Sequence, residues 1–151
     1  MTQENKELLI KDLCARLDTN LVCSIYRTDD EGVGYRDEIL HGYCKGDIWY
    51  EFYFREDCSI GIDNVSKIKP YLFPLSSMTD ELWDKEFMGC GITEFTRDSF
   101  KYGCETLEFY NGNPDLSSMV SFINQLIKNH FDIYGLIPMG LAEDAIGKNI
   151  Y

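Results

Sequence analysis

The chain has 151 residues, 44% of them apolar, and its 26 acidic and 14 basic residues give a net charge of -12. A chain of this length and composition can bury roughly two thirds of its unfolded surface, so we expect a single domain over residues 1–151. The negative charge opposes contact with a polyanion, and we therefore expect no direct nucleic-acid binding.

The sequence also argues against a membrane protein. No apolar run reaches the roughly 18 to 20 residues that a membrane-spanning helix needs. The segment from Met1 to Arg16 alternates charged residues with Leu and Ile, unlike an export signal. We therefore predict a cytoplasmic protein that has no membrane partner.

The first predicted element is an amphipathic helix over about residues 4 to 17. Its apolar positions recur at helical spacing, and they are Ile10, Leu13, Cys14 and Leu17. The opposite, solvent-facing side is predicted to carry Glu7, Lys11 and Asp12. A strand rich in Val, Ile and Tyr is predicted from Leu21 to Arg27, followed by an acidic, glycine-containing loop from Thr28 to Gly34.

Two alternating segments predict a β-hairpin. They run from Ile39 to Cys44 and from Ile48 to Phe54, and Lys45-Gly46-Asp47 has the length and composition of a hairpin turn. A third strand from Ser59 to Asp63 would continue the meander. The aromatic stretch Trp49 to Phe54 has the side chains to stack on a sugar or a base, but half of it is expected to face the core.

The segment Lys69 to Thr79 predicts an extended stretch followed by a helix. Pro70 and Pro74 disfavour helical backbone before them. Thr79 is a typical N-cap, and Met78 and Trp83 occupy the positions of a hydrophobic staple. The helix is predicted to end at Gly89-Cys90-Gly91, and weaker strand signals follow at Ile92 to Phe95 and Glu105 to Tyr110.

The last predicted helix runs from Leu116 to Asn129, after a turn signal at Asn111 to Asp115 that ends in a capping residue. Its apolar positions are Leu116, Met119, Val120, Ile123 and Ile127. The remaining tail is too apolar for a disordered terminus, and we expect it to pack on the core. The elements together predict an α+β fold, with a mainly antiparallel sheet covered by the first and last helices.

The cysteines and histidines predict no metal site. The thiols, at Cys14, Cys23, Cys44, Cys58, Cys90 and Cys104, include no Cys-x-x-Cys pair. Neither His41 nor His130 has a thiol at zinc-ligand spacing, so we expect reduced, mostly buried cysteines and no cofactor. Asp29-Asp30-Glu31 lacks the ligand order of a calcium loop.

One arrangement would suit thiol catalysis. His130 and Asp132 beside Cys90 or Cys104 would supply a base, an orienting carboxylate and a nucleophile. The competing interpretation is that the His130 ring ends the last helix and complements the negative end of its dipole. We favour the second interpretation and expect no enzyme activity.

A run of acidic residues from the predicted Thr79 helix onwards is a candidate partner-binding surface, because negative charge attracts a basic protein. The candidate residues are Asp80, Glu81, Asp84, Glu86, Glu94 and Asp98. Such a surface also has the charge needed to imitate a phosphate backbone. A solvated helix face without a binding role is the simpler alternative.

Three segments resemble a family of small uncharacterised proteins of Bacteroides-type gut bacteria and of their phages and prophages. They are Leu8 to Cys23, Lys69 to Leu82 and His130 to Tyr151. The chain departs from this family at Phe73 and near Tyr134, where members often carry arginine, and at Asp18-Thr19-Asn20, where they often carry Pro-Tyr-Gly. The family has no known activity that the resemblance could transfer to this chain, and an anion site built on those arginines would be missing here.

We therefore expect a small acidic accessory protein without catalysis, associated with a phage or prophage, that binds a host or phage protein with a basic surface. The first alternative is an acidic inhibitor that mimics nucleic acid and blocks a host defence or DNA-binding protein. The second is a thiol- or metal-dependent enzyme.

Overall fold

The computed structural model describes residues 1–29, 32–45, 50–55, 58–87 and 116–151. They fall into two compact units: Met1–Leu72 with Tyr134–Tyr151, and Phe73–Ile133. Their helices are α1 (Gln3–Ala15), α2 (Asp80–Glu86) and α3 (Leu116–Lys128), and their strands are β1 (Val22–Asp29), β2 (Gly32–Ile39), β3 (Gly42–Lys45), β4 (Tyr50–Arg55), β5 (Cys58–Gly61), β6 (Ile68–Leu72) and β7 (Glu143–Asp144). The α+β class is confirmed, and the extent of a single domain over 1–151 stays a prediction.

The first sheet has the strand order β2-β1-β6-β7. β1 and β2 form an antiparallel hairpin that is paired without interruption from Val22↔Ile39 to Asp29↔Gly32. The predicted acidic loop from Thr28 to Gly34 is therefore wrong for Thr28, Asp29 and residues 32–34, while Asp30 and Glu31 lie outside the described residues. Cross-strand pairing, including an edge-to-face contact of the Tyr26 and Tyr35 rings at 5.2 Å, outweighs the polar composition of this stretch.

The second sheet is an antiparallel meander in the order β3-β4-β5. The predicted pairing of the two hairpin arms is confirmed by the ladder from Gly42↔Tyr53 to Lys45↔Tyr50. The first arm starts later than predicted, because Ile39 belongs to β2 in the other sheet. β5 follows as predicted but ends at Gly61, where a 3-10 helix begins (Ile62–Lys67).

Pro70 lies within the central strand β6 without breaking its ladder to β1. It is opposite Cys23. Strand β7, on the other side of β6, pairs with it only from Tyr71 onwards. The missing N–H of Pro70 therefore leaves no carbonyl of β7 without a hydrogen-bond donor. The predicted extended conformation around this proline is confirmed.

Helix α1 packs on the sheets of the first unit. Leu9 and Leu13 are buried in one core with Cys23, Ile25 and aromatic residues of β4. The prediction that Asp12 faces solvent is wrong, since its side chain is fully buried. Arg16 binds it through two hydrogen bonds of 2.8 Å, which offset the cost of burying both charges.

The tail also contributes to this core, as predicted. Leu136, Leu141 and Ala142 are buried in the same cluster as the sheet residues. Strand β7 then runs parallel to β6, and the backbone N–H of Ala145 donates to Leu72.

The second unit has an aromatic core. The Thr79 hydroxyl accepts a hydrogen bond from the Leu82 N–H at 3.2 Å, which confirms the predicted N-cap of α2. Met78 and Trp83 are buried in one cluster, as a hydrophobic staple requires. Trp83 stacks on the Phe87 ring at a centroid distance of 5.5 Å.

Helix α3 presents a different face from the one predicted. Phe122 and Leu126 are buried, whereas Val120 and Ile123 are 49% and 38% exposed. The rings of Trp83 in α2 and of Phe87 directly after it both contact the Phe122 ring edge to face, and this packing outweighs the burial of the aliphatic residues on the neighbouring side of α3.

Several predicted features lie outside the described residues. They are the hairpin turn at Gly46-Asp47, the α2 terminator at Gly89-Cys90-Gly91, the strand candidates Ile92 to Phe95 and Glu105 to Tyr110, and the turn and cap at Asn111 to Asp115.

Candidate binding surfaces

His130 ends α3 through its backbone conformation. Its φ angle is +59°, in the left-handed region that few non-glycine residues adopt. Its N–H donates to Ile127 and the next N–H, of Phe131, donates to Leu126, which together form a Schellman motif. The residue therefore has a structural role as a helix cap.

Asp132 is also buried, and its backbone N–H donates to Phe73 at 2.8 Å. The two thiols proposed as nucleophiles, Cys90 and Cys104, lie outside the described residues. The described thiols include Cys14 and Cys23, and burial raises the pKa of both. A raised pKa disfavours the reactive thiolate, so neither thiol has the environment of a nucleophile.

The described residues contain no group of three or more His, Cys, Asp or Glu side chains placed to hold a metal ion. Asp30 and Glu31, the greater part of the rejected calcium loop, are outside the described set.

Alternate aromatic residues of β4 belong to the core. Phe52 and Phe54 are fully buried. Tyr53 is half-buried, and its hydroxyl donates to the Glu51 carboxylate at 3.3 Å. Trp49 lies outside the described residues.

The acidic helix surface comprises Asp80, Glu81, Asp84 and Glu86 of α2. The first three are exposed. Glu86 is less available, because Lys85 and Lys128 lie 3.2 and 3.9 Å from its carboxylate. Asp80 and Glu81 also stabilise the first turn of the helix, so their charge has a structural explanation. The remaining candidates, Glu94 and Asp98, lie outside the described residues.

The structure contains a second candidate binding surface, which is not among those predicted from the sequence. We call it the tyrosine face, and it consists of the residues of the four-stranded sheet that point away from α1: Tyr26, Val33, Tyr35, Asp37, Ile39 and Tyr71. Val33 and Tyr35 are 71% and 62% exposed, and Ile39 is 41% exposed. Large apolar and aromatic side chains in contiguous exposed positions are typical of protein-binding surfaces.

One end of the tyrosine face is ordered by the tail. The Lys148 ammonium lies 4.6 Å from the centre of the Tyr71 ring. The Glu143 carboxylate accepts from both Lys69 and Lys148, at 3.2 and 3.3 Å. Desolvation pushes the pKa of Glu143 upward, but these hydrogen bonds lower it overall, which favours the ionised carboxylate, and its charge offsets one of the two lysine charges.

Asp37 contributes negative charge at the middle of this face. Its carboxylate accepts a hydrogen bond of 2.8 Å from the Tyr71 hydroxyl. Among the described residues, no lysine, arginine or histidine forms an ion pair with it. The carboxylate is thus held in place while its charge stays uncompensated by a described cation.

Strand β2 is also an edge of its sheet in the part of the chain that the structure describes. The hydrogen bond from Leu40 N–H to Leu21 fixes which residues of β2 bond to β1. Hydrogen-bonded and non-hydrogen-bonded pairs alternate in an antiparallel ladder, so Gly34, Arg36 and Glu38 bond to β1. The N–H and C=O groups of Val33, Tyr35 and Asp37 therefore point outward from the sheet.

The sequence does not predict the tyrosine face, because the composition of Thr28 to Gly34 indicates a loop. A signal for it was nevertheless present, since Val33, Tyr35, Asp37 and Ile39 alternate with Gly34, Arg36 and Glu38. The alternation of outward and inward side chains is hard to recognise in the sequence, because this stretch also contains two glycines and several charged residues.

Comparison with known proteins adds no relative. No protein-family model, no curated protein and no solved structure matches the chain. Among the described helices, none combines the length and apolar character that a membrane span requires. The resemblance to the Bacteroides and phage family stays a prediction.

Proposed function

We propose that this chain is a non-catalytic binding protein whose partner is another protein carrying basic groups. The observation that carries the proposal is the tyrosine face, where exposed Tyr35 and Ile39 flank Asp37 along β2. Protein interfaces favour tyrosine at their centres, because its ring buries a large area at low entropic cost.

Charge supports a basic partner. The net charge of -12 attracts cationic proteins over long distances, and Asp37 provides a defined contact for a lysine or arginine within the face. The acidic helix surface supports the same choice of partner as a separate, second candidate. Association with a phage or prophage, and a host or phage protein as the partner, follow the resemblance and belong to this proposal.

The proposal is tested by affinity capture from a lysate of a Bacteroides-type bacterium at low salt, with the full chain immobilised. Tyr35→Lys introduces a repulsive charge at the exposed centre of the tyrosine face, and we expect it to abolish capture of the partner. A triple variant, Asp80→Asn with Glu81→Gln and Asp84→Asn, tests the acidic helix surface separately. Failure of the wild-type chain to capture any protein would contradict the proposal.

The nucleic-acid-mimic alternative is distinguished in the same experiment by adding duplex DNA. A mimic competes with DNA for its target, and its binding weakens steeply as salt is raised. A partner bound through the tyrosine face is instead retained when DNA is added, because apolar and aromatic contacts contribute to its affinity.

A further inference from the structure

The edge of β2 offers backbone as well as side-chain contacts. Val33, Tyr35 and Asp37 direct their N–H and C=O groups away from β1, as the ladder register requires. The same residues carry the exposed side chains of the tyrosine face. One strand therefore presents a row of donors and acceptors beside a defined pattern of side chains.

We propose that a partner protein binds here by strand addition, with an extended segment that pairs antiparallel with β2. The inference rests on the proposed binding function and names its mode of recognition. In this mode, backbone hydrogen bonds supply affinity and alternate side chains supply specificity.

The side chains of β2 define the chemistry of that segment. Opposite Asp37 it needs a lysine or arginine, because the carboxylate lacks a described cationic partner. Opposite Tyr35 and Val33 it needs β-branched or aromatic residues, which pair favourably across strands. Because the segment runs antiparallel to β2, its sequence from the N-terminus has the order basic-x-apolar-x-apolar, where x marks a residue that points to the other face of the sheet.

Charge argues for such a segment over a second copy of this chain. An antiparallel self-pairing centred on Arg36 would place like charges directly opposite each other, which is destabilising, and one centred on Tyr35 would place Val33 opposite Asp37, so neither register supplies Asp37 with a cation. Each copy also has a net charge of -12, which opposes their encounter.

The probe is the blocked peptide acetyl-Thr-Lys-Thr-Val-Thr-Val-Thr-amide, titrated into the isotope-labelled full chain and followed by backbone NMR. We expect the amide resonances of Val33, Tyr35 and Asp37 to shift most. A peptide with Glu in place of Lys should bind at least about fivefold more weakly, since it loses the contact with Asp37 and is repelled.

The chain variants separate backbone recognition from side-chain recognition. Val33→Pro removes an outward N–H that β1 does not use, and edge strands tolerate proline at such positions. Val33→Ala keeps the N–H and is the matched control. We expect Val33→Pro to weaken peptide binding about fivefold relative to Val33→Ala, because one hydrogen bond is lost. Circular dichroism and thermal melting of both variants verify that the fold is kept.

Four outcomes would overturn the inference. One is the absence of peptide-induced shifts at the β2 amides, and another is equal affinity of the two Val33 variants with their folds intact. The third is a dimer of the wild-type chain in sedimentation that Val33→Pro dissociates, which would identify a second copy as the occupant. If Tyr35→Lys abolishes capture of the cellular partner while Val33→Pro does not, the proposed function survives and strand addition is wrong.

Discussion

The Tyr151 hydroxyl donates a hydrogen bond of 2.8 Å to the backbone oxygen of Tyr71. It also accepts one of 3.3 Å from the Val22 N–H. The β1–β6 ladder ends at Cys23↔Pro70, so the phenol bridges a donor of β1 and an acceptor of β6 just beyond that end. The tail thereby links β1 and β6, the two central strands of the sheet that carries the tyrosine face.

Replacing this hydroxyl should destabilise the first unit. We expect Tyr151→Phe to lower the free energy of unfolding by about 1 kcal/mol, because two backbone groups lose their partner. Tyr35→Phe is the matched control, since the 62% exposed Tyr35 leaves its hydroxyl to water, and its effect should be below about 0.5 kcal/mol. Urea denaturation measures both values, and equal effects of the two substitutions would refute the role of Tyr151.

The tyrosines also predict a loss of stability at alkaline pH. Burial raises the pKa of Tyr71 and Tyr151, so the folded chain retains their protons at pH values where the unfolded chain releases them. Stability is therefore fully present below the unfolded tyrosine pKa of about 10 and falls as the pH rises above it. Urea midpoints between about pH 8 and 11 should decline less in Tyr151→Phe than in the wild type. A parallel decline in both proteins would contradict this linkage.

The Asp12–Arg16 pair should show strong coupling. Both side chains are fully buried, so removing one partner leaves an uncompensated charge in the core. Asp12→Leu or Arg16→Met alone should cost about 3–5 kcal/mol, and the double variant should cost far less than the sum of the two. A double-mutant cycle in urea measures the coupling, and additive effects would show that the pair does not act as a unit.

The left-handed backbone at His130 predicts an inverted order of two substitutions. His130→Gly and His130→Ala both remove the ring, but only glycine adopts a φ of +59° without steric cost. We expect the glycine variant to be more stable than the alanine variant by about 1 kcal/mol, the reverse of the order inside a helix. Thermal or urea unfolding decides the order. If the alanine variant is as stable as the glycine variant, or more stable, backbone strain at position 130 does not determine the stability of this cap.

The sequence predicts local elements well where a short-range signal specifies them. The Thr79 cap and its staple are one example, and the β3–β4 hairpin is another. Packing between elements explains the failures. Asp12 is buried with its neighbour Arg16 where α1 packs on the core of the first unit. Helix α3 turns Phe122 inward because that ring contacts Trp83 and Phe87. The charge pattern of one segment does not reveal which of its faces will pack on another element.

The same limit applies to the candidate surfaces. The acidic residues of α2 were identifiable from composition, and three of them are exposed as a charged helix face would require. The tyrosine face depends on the register of β1 with β2, which sets the direction of every side chain in the hairpin. A sequence that mixes glycine, charge and aromatic residues leaves that register undetermined.

Hydrogen exchange of the β2 amides tests the central claim, an open edge that binds a partner strand, most directly. In the free chain, the amide protons of Val33, Tyr35 and Asp37 should exchange at least about tenfold faster than those of Gly34, Arg36 and Glu38, which bond to β1. Addition of the Lys-containing peptide should slow the first set and leave the second unchanged. Equal protection of both sets in the free chain would mean that the edge is already covered, and would contradict the account.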